Sequence, residues 1–167
     1  MHLPAALSLR RAAVEDAEIL RVLNADVQRV HAALLPDLFK PAAAESFTAN
    51  HARAMLMHPD NIVIIATCSG VPTGYAYAEA RRRLENAFTY GVDEVYLHHL
   101  SVVPEYRRQG IGTALLDGVA DAAHALGIER VALDVWTANK QALAFFVAHG
   151  FAPCNERLAR QTPRATT

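Results

Sequence analysis

The stretch Leu100-Ser-Val-Val-Pro-Glu-Tyr-Arg-Arg-Gln-Gly-Ile-Gly-Thr-Ala-Leu-Leu116 constrains the fold more than any other part of the chain. An apolar run from Val95 to Val103 reads as a buried strand, which Pro104 stops. Arg107, Arg108, Gly110 and Gly112 make a turn, and a helical period follows through Ile111, Ala114, Leu115, Gly118, Val119, Ala122, Ala123 and Leu126. Strand, glycine turn and helix in that order aim free backbone N–H groups at an anion, and the helix N-terminus adds about half a positive charge. Glycine lets the backbone come close, and the two arginines supply charged donors for phosphate. The turn is a pyrophosphate cradle. It is not a mononucleotide P-loop, because no Gly-Lys pair occurs in the chain. Nor is it a dinucleotide fingerprint, since Leu115 stands where a third glycine is needed.

At 167 residues, 52% apolar and 20% charged, the sequence predicts one soluble globular domain over residues 7–160 with a loose tail over 161–167. A net charge of -1 gives no general attraction to nucleic acid or to an anionic membrane. Any polyanion contact is local, at Arg107 and Arg108 or along Arg81, Arg82 and Arg83, and a solvated edge is the plainer reading of that triplet. Cys68 and Cys154 form no C-x-x-C pair, which argues against a disulfide framework or a structural zinc. The first residues read as a strand rather than a signal peptide, and no apolar run reaches the about 20 residues of a membrane helix, so a cytoplasmic location is expected.

Periodicity orders the elements. A strand at Leu7–Arg11 precedes a helix carrying Ile19, Val22, Leu23, Val27, Val30 and Leu34, which Pro36 ends. A second helix covers Ala43–Met57, then a strand Asn61–Cys68, a turn Ser69–Gly74 and a returning strand Tyr75–Ala80. Arg81–Gly91 reads as a polar hairpin loop or frayed strand end. After the cradle helix, capped by Gly127, come a strand Val131–Val135, a helix Lys140–His149 and a last strand opening at Phe151. The order β-α-α-β-β-β-α-β-α-β implies an α/β protein, one mixed sheet with helices on both faces.

The pattern Arg107-x-x-Gly110-x-Gly112 after a Val-x-Pro strand end resembles the coenzyme A loop of the GCN5-related N-acetyltransferases. Val131-Ala-Leu-Asp-Val-Trp136 is similar to that family's next strand, and Asn139-Lys-Gln-Ala-Leu-Ala-Phe-Phe-Val-Ala-His-Gly-Phe151 to its asparagine, helix and closing Gly-Phe. The resemblance runs from about Arg10 to Phe151, with its diagnostic residues between Leu100 and Phe151. It implies the acyl-CoA N-acyltransferase fold, acetyl-CoA as cofactor, and direct transfer of acetyl to a primary amine in a ternary complex. It further implies that Leu100, Ser101 and Val102 meet the pantetheine and thioester. Arg107, Arg108, Gln109, Gly110, Ile111, Gly112 and Thr113 would hold the pyrophosphate, and Asn139, Ala142, Phe145 and Phe146 would line the arm. Asn139 is equally good chemistry as a helix N-cap.

Acetyl transfer requires the amine to lose a proton, the oxyanion to be held and the thiolate to leave. Counting back from Val102, one strand face carries Leu100, His98, Tyr96 and Glu94, and His99 projects to the other. In the family's arylalkylamine branch histidines occupy the positions matching His98 and Tyr96, which makes His98 the first base candidate. A histidine satisfied within a crowded strand pair is the alternative. Asp134 comes second, standing where the ribosomal-protein branch has a glutamate, and Glu94 third. With His98 and His99 facing apart, and His51 and His58 roughly 10 Å apart by helical rise, no metal site is expected. The chain departs from the family at Phe146, where a tyrosine usually protonates the departing sulfur; Tyr96 and Tyr106 are the possible substitutes. The implied partner is a small-molecule or peptide amine, with no nucleic acid and no membrane, and a homodimer stays open. His31 and Phe39 belong to the segment that walls the acceptor side in the family. The rival from another class is a catalytically silent acyl-CoA-binding module.

Overall fold

Asn-Ile-Val-Ile-Ile-Ala-Thr-Cys is apolar at successive positions, so as a strand it must be covered on both faces. In the computed structural model, which describes residues 6–160, this segment is β2 (Asn61–Cys68), paired antiparallel with β1 (Leu7–Arg11) and β3 (Val71–Arg83). β4 (Val92–Val102) extends the antiparallel order and β5 (Val131–Leu133) joins it in parallel, giving the sheet order β1-β2-β3-β4-β5. Val63 and Ile65 pack with Tyr75 against Leu20 and Leu23 of α1 (Ala17–Leu34) and Ala52 of α2 (Ala49–Met57). On the other face Ile64 lies against Gly118 of α3 (Ile111–Ala125), where an added methyl would come within 3.2 Å of its Cδ1. Helices therefore cover both faces. Each large aliphatic side chain so buried contributes about 1.5–3 kcal/mol of transfer free energy.

Contacts divide the chain into a unit Met1–Asp134 and a smaller unit Val135–Thr167, which contains α4 (Lys140–Ala148). At the start of α1, buried Asp16 accepts a bidentate pair from Arg10, at 2.6 and 2.7 Å, and the Ala13 N–H at 2.8 Å. The bond from Arg10 is the main force holding the Asp16 carboxyl below its usual range.

Several elements differ from the sequence expectation. The second helix starts at Ala49, not Ala43, because Thr48 caps it: Thr48 Oγ1 accepts from the His51 N–H and His51 Nδ1 accepts from the Thr48 N–H, both at 3.3 Å. The turn after β2 is only Ser69-Gly70, and β3 runs on through Arg83, pairing Arg81, Arg82 and Arg83 with Glu94, Asp93 and Val92. The triplet lies in a strand rather than in a loop, since cross-strand pairing supports polar residues on an open face. β5 stops at Leu133 rather than Val135. No strand opens at Phe151: residues 151–160 have no regular structure, and Pro153 has no N–H to offer a ladder. The tail expected over 161–167 lies outside the described residues.

Candidate functional site

The end of β4 is shaped by close approach. A methyl group on Gly74 would fall 2.5 Å from the Ser101 carbonyl oxygen, so only glycine lets β3 pass there. The Val103 N–H bonds the Thr73 carbonyl at 2.9 Å, and antiparallel alternation then turns the backbone groups of Ser101 toward Tyr75 and those of Leu100 and Val102 away from β3. β5 pairs with β4 only over Val95–Leu97. Among the described residues the outward backbone groups of Leu100 and Val102 therefore have no strand beside them, while Ser101 is buried in the ladder. Arg107 fills part of this edge, donating from Nε to the Val102 carbonyl at 2.8 Å.

A single helical turn, Pro104–Tyr106, follows β4 and leads into the glycine loop. Arg108 and Gly110 both have positive φ, 63° and 83°, so the loop turns through two left-handed residues before α3 begins. Gly110 is the N-cap and offers no side-chain oxygen, which leaves the first-turn N–H groups of α3 directed outward. Ile111 is anchored in the core by its side chain, so its contribution to a ligand is its backbone. Arg108 and Gln109 are exposed, and Gln109 donates to the Glu105 carbonyl at 3.2 Å. Such a loop suits a phosphate anion.

Between Tyr77 and Ala78 the register of β3 on β4 slips: Tyr77 opposes His99 but Ala78 opposes Leu97. His98 is the extra residue of a β-bulge. This corrects the strict alternation read from the sequence, because both histidines now meet Tyr77. The His98 ring stacks on Tyr77 with centroids 4.6 Å apart, and the His99 ring meets it edge-on at 5.5 Å.

The two histidines have different surroundings. His99 Nδ1 lies 2.9 Å from the Tyr75 hydroxyl, which accepts from Asn24 Nδ2 at 2.8 Å. Burial, helped by the nearby His98 and His31, pushes the His99 pKa down to about 4, and burial also raises the Tyr75 phenol. His99 is a neutral acceptor in the core. His31 stacks on Phe39 at 4.8 Å, and burial lowers its pKa as well.

His98 Nε2 lies 3.0 Å from Glu79 Oε2 and 3.4 Å from Arg81 Nη2. Glu79 also accepts from Arg81 Nε at 2.9 Å, and these bonds, His98 first, hold its carboxyl below the ordinary range. A neutral His98 that donates Nε2–H to Glu79 keeps the Nδ1 lone pair for a proton. The Arg81 guanidinium sits 3.8 Å above the Tyr96 ring, whose centroid is 4.9 Å from His98. Burial first, then a hydrogen bond to Asp134, pushes the Tyr96 phenol up to about 12. The fold thus links His98 to Asp134 through Tyr96. Glu94 is drawn elsewhere, accepting from Arg130 Nε at 3.1 Å.

Glu79 and Tyr77 were absent from the sequence candidates. Their signal was available, since Tyr75, Tyr77, Glu79 and Arg81 recur at every second residue and so share one strand face. In the smaller unit Asn139 Oδ1 accepts from the Ala142 N–H at 3.1 Å, which makes it the N-cap of α4. Phe146 meets Phe145 and Phe151 edge-on, at 5.3 and 5.5 Å. Among the described residues no group of three His, Cys, Asp or Glu side chains is placed to hold a metal, and no helix is long and apolar enough to cross a membrane.

A model of the acetyltransferase (GNAT) family matches residues 27–151. The alanine N-acetyltransferase of ribosomal protein bS18 from Escherichia coli (strain K12) is 36% identical over 76 residues, which are 46% of this chain and 49% of that protein. The Shigella flexneri protein of the same name gives the same values. The match spans about half the length of these curated relatives. Among solved structures, a mutant BH1408 protein of Bacillus halodurans has a TM-score of 0.88 at 19% identity, covering 93% of this chain and 99% of that one. The aminoglycoside N-acetyltransferase AAC(6')-Iy in complex with CoA has a TM-score of 0.69 at 21% identity, covering 95% of each. At these identities the likeness to solved structures is one of fold.

Proposed function

Since the chain belongs to the acetyltransferase (GNAT) family, we propose that it is an acetyl-CoA-dependent N-acetyltransferase acting on a primary amine by direct attack. The observation that carries this reading is the hydrogen bond between His98 and Glu79 on the face of β4, the strand that leads into the glycine loop. Relatives named for acetylating a ribosomal-protein alanine, and fold neighbours named for aminoglycosides, support an amine acceptor. The family match crosses both units of the chain, which supports residues 7–160 acting as one catalytic domain.

Acetyl-CoA, when bound, supplies the activated acetyl thioester. The backbone N–H groups at the start of α3, with Arg107 and Arg108, take the pyrophosphate, and Leu100 and Val102 present edge backbone groups to the pantetheine and the thioester oxygen. Asn139, Ala142, Phe145 and Phe146 belong to the arm. The amine nitrogen attacks the acetyl carbonyl carbon; the C–N bond forms, the C–S bond breaks, and its electron pair leaves on sulfur. His98 Nδ1 receives the proton that the nitrogen sheds, directly or through water, while Glu79 fixes the ring and stabilises its charge. Asp134 meets the same centre through Tyr96, so it is the second base candidate. Tyr96, held protonated beside His98, is the candidate to replace the acid missing at Phe146. Phe146 also favours a second reading, an acyl-CoA-binding module without turnover. Mixing the protein with acetyl-CoA and panels of peptide, polyamine and aminoglycoside amines, with free thiol as readout, separates the two: thiol release with acetylated product supports the transferase, and tight coenzyme A binding without release supports the module.

A further inference from the structure

Beyond His98, the open face of the sheet changes character. β3 residues at every second position share a face, so Arg81 and Arg83 continue the row of Tyr77 and Glu79. Opposite them on β4 stand Glu94 and Val92, and Arg130, just before β5, reaches back to Glu94. Together with Arg82 these residues line a recess of about 300 Å³. Four arginines line it with Glu94 as the one acidic residue, and Arg82, at the intervening position of β3, stands across the ladder from Asp93. Arg81 is engaged by Glu79 and Arg130 by Glu94, whereas Arg82 and Arg83 have no carboxylate within ion-pair distance among the described residues.

The recess is remote from the phosphate cradle. Val92 and Val102 stand at opposite ends of β4, a strand length of roughly 30 Å at the usual rise per residue. It is close to His98, because Arg81 both lines it and lies 3.4 Å from His98 Nε2. Arg83 is two residues further along β3, or about 7 Å. A negative group held there sits about 7–10 Å from a nitrogen that His98 would deprotonate, the reach of two to three residues of extended chain.

On the reading of the site as an N-acetyltransferase, we infer that Arg82, Arg83 and the recess around them form an acceptor subsite for a carboxylate borne two to three residues from the reacting amine, as in a peptide whose N-terminal segment is acidic. The α-carboxylate of a free amino acid is too close to its own nitrogen to reach. Guanidinium groups take carboxylates in bidentate fashion, and the two unpaired ones sacrifice no internal ion pair on binding.

The test has a catalytic and a binding arm. Thiol release is compared for the C-terminal amides of Ala-Gly-Glu-Gly, Ala-Gly-Gln-Gly and Ala-Gly-Lys-Gly, with 8-aminooctanoate and octylamine as the non-peptide pair. The glutamate peptide should exceed the glutamine peptide about tenfold in kcat/KM, the size of a charge-assisted hydrogen bond. Arg82→Ala/Arg83→Ala should erase that preference, and Arg83→Glu should turn it toward the lysine peptide, with coenzyme A affinity as the folding control. A gain for 8-aminooctanoate over octylamine as large as the peptide gain would assign the subsite to a carboxylate without a peptide backbone and overturn the peptide form. Equal turnover of all three peptides overturns the subsite while the transferase stands. If no amine is acetylated, titration of N-acetyl-Ala-Gly-Glu-Gly amide and its glutamine counterpart, followed by NMR with coenzyme A present, decides alone. Discrimination that Arg82→Ala/Arg83→Ala removes keeps the anion site and counts against the transferase, and equal affinities overturn the site.

Discussion

His98, the residue that the register between β3 and β4 skips, holds its Nε2 3.0 Å from the Glu79 carboxylate. A bulge re-aims one side chain without disturbing the ladder on either side, and here it turns an imidazole toward a carboxylate on the neighbouring strand. The pair is partly open to solvent, so its value lies in orientation rather than in stability.

Glu79 is accordingly a positioning residue. Glu79→Gln should lower kcat about tenfold, the lower range for loss of an orienting partner, and leave the acetyl-CoA KM unchanged. Glu79→Asp should recover part of the loss. The pH profile separates orientation from general damage, since loss of the negative partner should move the acidic limb and a structural defect should not. Because the Glu79 carboxyl is held below its ordinary range, its contribution to stability is present above about pH 4.3 and is lost only as pH falls through the lower folded value.

His99 gives a stability prediction with the same direction over a different range. Its folded pKa of about 4 lies below the ordinary histidine value, so between those limits the unfolded chain binds the extra proton. Stability should be full above about pH 6.5 and decline toward pH 4, by up to about 1.4 kcal/mol per pH unit for one proton. Denaturant titrations of His99→Gln across that range should show a shallower decline. An identical slope in wild type and variant would place the acid sensitivity in other groups.

The glycine loop tests through backbone geometry. Gly110→Val must put a β-branched residue at a φ of 83°, and should weaken coenzyme A binding while costing about 1–2 kcal/mol of stability. Calorimetric affinity equal to wild type in the folded variant would misplace the cradle. Arg108→Ala should weaken binding at low ionic strength and much less at high, since Arg108 is exposed and screening already discounts it. Arg107→Ala should also cost stability, because Arg107 donates to the Val102 carbonyl.

The cradle was legible because each of its parts has a local cause: Pro104 ends the strand, Gly110 takes the left-handed turn, and Ile111 starts an amphipathic period. β2 was equally plain, since its apolar positions require cover on both faces. The bulge was not. An inserted residue depends on how two distant strands align, and His98-His99 reads as ordinary alternation until Tyr77 is set opposite His99. Glu79 passed unnoticed for the same reason, as a mid-strand carboxylate beside arginines reads as a solvated edge until its partner across the sheet is known. The early start expected for α2 failed on local chemistry, where the Thr48–His51 cap outweighed the helical tendency of Ala43 and Ala44.

Phe146→Tyr restores a hydroxyl to α4 without changing the ring. If the thiolate leaves unassisted, turnover should rise in the variant wherever the phenol remains protonated, below about pH 10. Unchanged turnover would mean another donor already serves, and Tyr96→Phe, which removes the phenol bonded to Asp134, should then lower the rate.

The most direct measurement is the pH dependence of kcat/KM for acetylated product in wild type and His98→Ala, with an amine that releases thiol from acetyl-CoA. The account predicts a loss of about 100-fold or more at the neutral plateau of the profile and disappearance of its acidic limb, with coenzyme A affinity retained. A folded His98→Ala protein with the wild-type rate and profile would contradict it, and would move the proton to Asp134.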